Sequence, residues 1–214
     1  MDAAMTPEDI EALFTRSDDS FQFARWGRPI VPIVFGVKDK TLEVVKGAFE
    51  ALCVLSGHKM AETDPELGAN TMVFFFRDWD ELLEVPDLNR LIDGLAPMVE
   101  RLKQGGANQY RVFRFDRQGA IMAGFVFVRM DEAMAQIPAE TLALSQVVQI
   151  MLLWSDTAFR DRSPLGQLGQ GQVVLRPDIA AVIRAAYDPI LPAATQDKSH
   201  ALRLFARTQI APKA

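Results

Sequence analysis

Apolar positions along this chain recur with two periods, and the change from one period to the other predicts the elements. The stretch Ala139 to Asp156, AETLALSQVVQIMLLWSD, is apolar almost all round. At 3.6 residues per turn it has room for about four to five turns, and it predicts a helix buried on most sides. Its exception is a narrow polar stripe, Ser145, Gln146 and Gln149, which helical spacing places on one face. Such a helix is either a core element whose polar groups are satisfied by neighbours, or the floor of a site.

Other segments follow the same logic. Thr6-Pro7-Glu8-Asp9 offers an N-cap, a proline at the first helical position and two acids in the first turn, predicting a helix from Pro7 to about Phe14. Ile30, Val31, Ile33, Val34, Phe35 and Val37 predict a strand, and Pro29 and Pro32 push it toward a sheet edge or restrict its pairing on one side. Thr41 is the expected cap of a helix ending at Ser56-Gly57, with Leu42, Val45, Phe49, Leu52 and Val54 on its apolar face. Asn70 to Arg77 is apolar enough for the middle of a sheet. Asp78, Asp80, Glu81 and Glu84 are read as helix N-terminal acids, since the glycine and ligand spacing of a calcium loop are missing. Helical pieces then run to about Lys103, broken at Pro86, Gly94 and Pro97. Gln109–Asp116 and Gly119–Met130 form a predicted hairpin, and 160–172 a loop. Asp178 opens a helix bearing Ile179, Val182, Ile183 and Ala186, closed by Asp188-Pro189, and a last helix runs from Ser199 to about Thr208. The order implies an α+β fold with a mixed sheet, because the first crossover permits parallel pairing and the hairpin must be antiparallel.

Length and charge narrow the picture. A chain of 214 residues is expected to form an N-terminal helical arm over 1–20 and a single α+β domain over 21–214. A net charge of -5 leaves no electrostatic footprint for nucleic acid. The charge is uneven: ten carboxylates lie between Glu62 and Glu100 against Arg77 and Arg90, whereas basic residues outnumber acidic ones from Arg160 through Lys213. No apolar run reaches the length of a membrane span, and the N-terminal stretch lacks the basic start of a signal peptide, so the expected location is the cytoplasm. The single cysteine, Cys53, can form no internal disulfide, and its apolar helical surroundings predict a buried thiol.

Candidate chemistry is sparse. Arg111 and Arg114 share the hairpin with Phe113 and Phe115; they could line an anion-binding face or form an outward polar edge. His58 falls just past a helix end, where it meets the helix C-terminus or solvent. An enzyme would need groups converging from separate segments, such as His58, Asp64, Glu66 or Arg111. No Gly-x-Ser-x-Gly elbow frames Ser145 for Ser-His-Asp catalysis.

Four motifs occur in a distinctive order: Arg25-Trp26 with Pro29, Ala69-Asn70 before a strand, Ser145-Gln146 in the buried helix, and Asp178 followed by Tyr187-Asp188-Pro189. In this order, over roughly residues 21–192, the chain resembles an uncharacterised bacterial family of predicted zincin-like metallopeptidases. The resemblance implies a zincin-like three-layer arrangement: a mixed sheet with an antiparallel hairpin, a buried central helix and a C-terminal helical part. It does not bring the metal chemistry with it. A zincin needs two ligands at i and i+4 and a glutamate beside the first. With Gln146 at the second ligand position, Leu142 and Ala143 occupy the other two, and neither ligates metal nor moves a proton. The expectation is therefore a non-catalytic scaffold without cofactor or metal, binding a peptide, a protein or a small polar ligand through Ser145, Gln146, Gln149 and Arg111, its oligomeric state open. The alternatives are a hydrolase using residues outside the zincin motif, and a structural subunit.

Overall fold

The computed structural model describes residues 5–210; positions 1–4 of the expected N-terminal arm and 211–214, including Lys213, lie outside the described residues. The chain opens with α1 (Pro7–Phe14), where Thr6 and Asp9 form a reciprocal capping box. A two-residue strand β1 (Phe23–Ala24), β2 (Pro32–Phe35), α2 (Asp39–Ser56) and β3 (Thr71–Phe76) follow. A 3-10 turn over Trp79–Leu83, α3 (Leu88–Leu91) and α4 (Leu95–Gln104) lead to the hairpin strands β4 (Gln109–Phe115) and β5 (Ile121–Arg129). Then come α5 (Glu132–Ala135), α6 (Ala139–Met151), β6 (Leu165–Gln167), β7 (Val173–Leu175), α7 (Pro177–Ala186), β8 (Ala194–Thr195) and α8 (His200–Thr208).

The fold is mixed α/β. Its main sheet has the order β2-β3-β5-β4, with β2 and β3 parallel, β3 and β5 parallel, and β4 antiparallel to β5. The proline-flanked strand β2 is an edge, as Pro29 and Pro32 require. β3 is interior: Val73 and Phe75 face one core, Phe74 and Phe76 the other. Helical elements cover both faces. On one side Val45, Phe49 and Leu52 of α2 and Ala143, Val147 and Ile150 of α6 share a core with Val126 and Val128. On the other, Trp79, Leu88 and Val99 pack with Phe125 and Phe127. Each fully buried side chain of this size stabilises the fold by about 1.5–3 kcal/mol. Ile10, Leu13 and Phe14 of α1 join the first core.

Several local expectations change. α2 starts two residues before Thr41, with Lys38 at the N-cap and no side-chain cap bond. Its inward face is Val45, Phe49, Leu52, Cys53 and Ser56; Leu42 and Val54 are exposed, Val54 at 83%. Burial pushes the Cys53 thiol up to about 11, so it packs as an inert apolar group. The expected loop at 160–172 contains β6, which pairs antiparallel with β7.

The central helix also ends sooner than its apolar run, at Met151 rather than Asp156. Its last carbonyls are taken by side chains. Trp154 Nε1 donates to Val148 O at 3.0 Å, Trp26 Nε1 to Ile150 O at 2.9 Å, and the Tyr187 hydroxyl to Met151 O at 2.7 Å. Orphan carbonyls at a buried helix end must find donors, and these three supply them. The chain beyond turns extended, bridging Leu152 to Arg25, with Leu153 N–H on Ala24 O at 2.9 Å. Close seating of α6 on the sheet depends on Gly124, where a Cβ would meet Ile150 Cδ1 at 2.8 Å.

Candidate functional site

The pleat of β4 decides which of its side chains reach α6. Gln109, Arg111 and Phe113 alternate onto that face, whereas Tyr110 and Val112 pack into the opposite core. Arg111 and Arg114 therefore part company: Arg114 reaches the Leu91 carbonyl at the end of α3. On the α6 side Gln146 is 4% exposed and meets Arg111.

A closed triangle of hydrogen bonds results. Arg111 Nη2 donates to Gln146 Oε1 at 2.5 Å and to Gln109 Oε1 at 3.0 Å, while Gln146 Nε2 donates to the same Gln109 oxygen at 3.1 Å. The triangle has no carboxylate. Among the described residues Arg111 makes no ion pair, and its buried Nε has no protein acceptor. Burial drives the guanidinium down to about 10, the cost of desolvating a cation that no anion compensates. The residue is only partly buried, because it stands at the wall of a cleft.

That cleft has a volume of about 650 Å³. One wall is β4, and residues of both alternations line it, so the edge of the strand faces the opening. The other wall is Gln149 of α6 and the segment from Leu153 to Arg160. Trp154 and Phe159 meet edge to face at 5.0 Å, and Phe113 and Phe115 stack at 6.4 Å. A second cleft of about 440 Å³ lies past the triangle, between the start of α6, with Leu142, Ser145 and Gln146, and the β6–β7 hairpin. Gln109 lines both.

The expected polar stripe thus splits. Gln146 joins Arg111, while Gln149 Nε2 bonds Ser145 Oγ at 3.1 Å and the Ser145 carbonyl at 3.2 Å. Sequence reasoning missed Gln109, although the two-residue step to Arg111 places it on the same face, and missed Trp154, inside the expected helix, and Phe159, between that helix and the expected loop.

The residues weighed for an enzyme gather elsewhere. His58 Nε2 lies 2.9 Å from the Arg28 carbonyl, and Arg28 pairs with Asp64 at 3.4 Å and Glu66 at 2.9 Å. Asp64 is 3% exposed and is consumed structurally: it accepts the Glu66 and Leu67 N–H groups at 2.9 Å and the Asn70 amide at 3.0 Å. Burial alone would raise its pKa, but those hydrogen bonds and Arg28 outweigh it and lower the value. Arg111, on β4, stands at the opposite edge of the sheet from β2, the strand that follows Arg28. Burial lowers the pKa of His58, with the Arg28 carbonyl opposing and Arg25 adding to the shift.

Among the described residues no three of His, Cys, Asp and Glu come together so as to hold a metal ion, and no helix is long and apolar enough to cross a membrane. Comparison with protein-family models, with curated proteins and with solved structures finds no match for this chain.

Proposed function

We propose that this chain is a non-catalytic binding protein on a zincin-like scaffold, and that the cleft along α6 holds a peptide or a small polar ligand. The observation that carries the reading is the triangle of Arg111, Gln109 and Gln146, of which Arg111 and Gln109 line the aromatic-walled cleft and Gln146 holds them from the second cleft. Binding sites combine an apolar lining with a few convergent polar groups, and this cleft has both. The groups of the triangle are a guanidinium and amides, which donate and accept hydrogen bonds but are no ready base at neutral pH, and the carboxylate lining the cleft, Asp156, is engaged by the Ser17 N–H and by Arg160. The arrangement of the sheet supports the zincin-like scaffold, with an antiparallel edge strand beside a buried helix and helices on both faces. So does the use of the motif residues: Trp26 and Tyr187 cap α6, and Asn70 fixes the entry to β3.

The test is a fragment screen by protein-observed NMR on the full chain. Fragments should shift amide signals of β4 and of 149–156, and Gln146→Ala, which removes one acceptor from Arg111, should weaken them about tenfold. Hits scattered away from the cleft, or unaltered affinity in Gln146→Ala, would remove the cleft from the proposal.

A further inference from the structure

We infer that the ligand of this cleft is a small carboxylic acid carried on an aromatic or apolar body, with its carboxylate on the guanidinium of Arg111. The inference rests on the binding role proposed for the cleft and names the chemistry of its occupant.

Three features converge. First, Arg111 is a desolvated cation with no carboxylate partner among the described residues. A buried charge is ordinarily paired, because an unpaired one is costly, and an anion arriving in the cleft would supply the pair. Second, the donors are already arranged. Nη2 is held by Gln109 and Gln146, which fixes the plane of the guanidinium, and among the described residues Nη1 has no hydrogen-bond acceptor. A planar, fixed guanidinium suits a planar carboxylate better than a flexible ammonium would. Third, the surrounding charge has the right sign. Arg16 and Arg160 stand at the rim, and the one acid beside them, Asp156, is engaged with the Ser17 N–H at 3.0 Å and with Arg160 at 3.9 Å.

The apolar part of the ligand follows from the walls. Phe113 and Phe115 line one side and Trp154 and Phe159 the other, so a ring entering the cleft meets aromatic faces and edges. A bare inorganic anion would leave those walls unused. The single unpaired guanidinium on the floor matches one negative charge.

Matched fragment pairs test this on the full chain: phenylacetate with phenylacetamide and indole-3-acetate with its amide, with inorganic phosphate as a third arm. Affinities and amide shifts would be measured for the native protein, Arg111→Met and Arg111→Lys. The acids should bind in the cleft about tenfold or more tighter than their amides, and Arg111→Met should erase that preference while still accepting the amides. Arg111→Lys should restore part of it. Equal binding of acid and amide in the cleft would overturn the carboxylate assignment and leave the binding role standing. Phosphate binding more tightly than the acids would overturn the aromatic body. If neither acids nor amides enter the cleft, the binding role falls and the inference with it. Unfolding curves for each variant separate a lost site from a lost fold.

Discussion

His200 should make this protein lose stability as pH falls below about 6.5. The residue opens α8, is 0% exposed, and packs its ring 4.3 Å from that of Phe23. Among the described residues neither ring nitrogen has a hydrogen-bond partner. Burial is the main reason its pKa falls to about 4, with Arg203 and Arg25 adding to the shift and Asp197 opposing it. A histidine in the unfolded chain titrates near 6.5. Between these values the unfolded chain binds the proton and the folded chain refuses it, so stability falls as pH falls from about 6.5 to about 4. A gap of about 2.5 units at 1.36 kcal/mol each amounts to roughly 3 kcal/mol, fully lost below the folded value. That is a sizeable share of the 5–15 kcal/mol typical of a domain. Urea midpoints from pH 7.5 to 3.5 would measure it, comparing the native chain with His200→Leu, which keeps the bulk and cannot titrate. His58 contributes a slope of the same sign in both proteins, so the difference isolates His200. The chain has two histidines, so their ring protons can be assigned by substitution and followed by NMR. If His200→Leu shows the same loss over this window as the native protein, or if the His200 ring titrates near 6.5, the argument from burial is refuted.

Three further outcomes follow from the packing around α6 and the Asn70 cluster. Trp26→Phe keeps a ring in the core but strips the donor from the Ile150 carbonyl, and should cost about 1–3 kcal/mol by chemical denaturation; a loss within about 0.5 kcal/mol would show that the carbonyl finds another partner. Gly124→Ala should cost about 1–3 kcal/mol by overpacking against Ile150 and Trp26, and Ile150→Val should return part of that cost by removing the Cδ1 atom; simple additivity in the double mutant would count against the contact. Asp64→Asn should weaken the ties to the Glu66 and Leu67 amides and to Arg28. Because the folded pKa of Asp64 is lowered, its contribution is present above about 3.9 and is lost as pH falls through the folded value, so the Asn variant should show a flatter acid limb below pH 4.

What the chain discloses in advance divides along a physical line. Elements set by their own periodicity or caps were legible: α1 runs over the predicted Pro7–Phe14, β3 lies inside the sheet, β4 and β5 form the hairpin, and the prolines put β2 at an edge. Elements set by distant partners were not. The run from Ala139 to Asp156 is apolar on most sides, yet α6 stops at Met151 because Trp26 and Tyr187 come from two distant segments, and Trp154 folds back from within the run, to take its carbonyls. The face of α2 was right at Val45, Phe49 and Leu52 and wrong at Leu42 and Val54: at about 100° per residue Val54 falls on the side of the helix opposite Val45, and it is exposed. The site obeys this division too. Gln146 and Arg111 could each be singled out on its own element, but a guanidinium lacking a counter-ion becomes visible only when β4 and α6 are brought together. Residues from distant segments that satisfy one another, as Trp26 and Ile150 do, stabilise a fold; Arg111 is held in place by amides that leave its charge unneutralised. Amides can orient a guanidinium without cancelling its charge, so the cleft floor keeps its attraction for an anion while its geometry stays fixed.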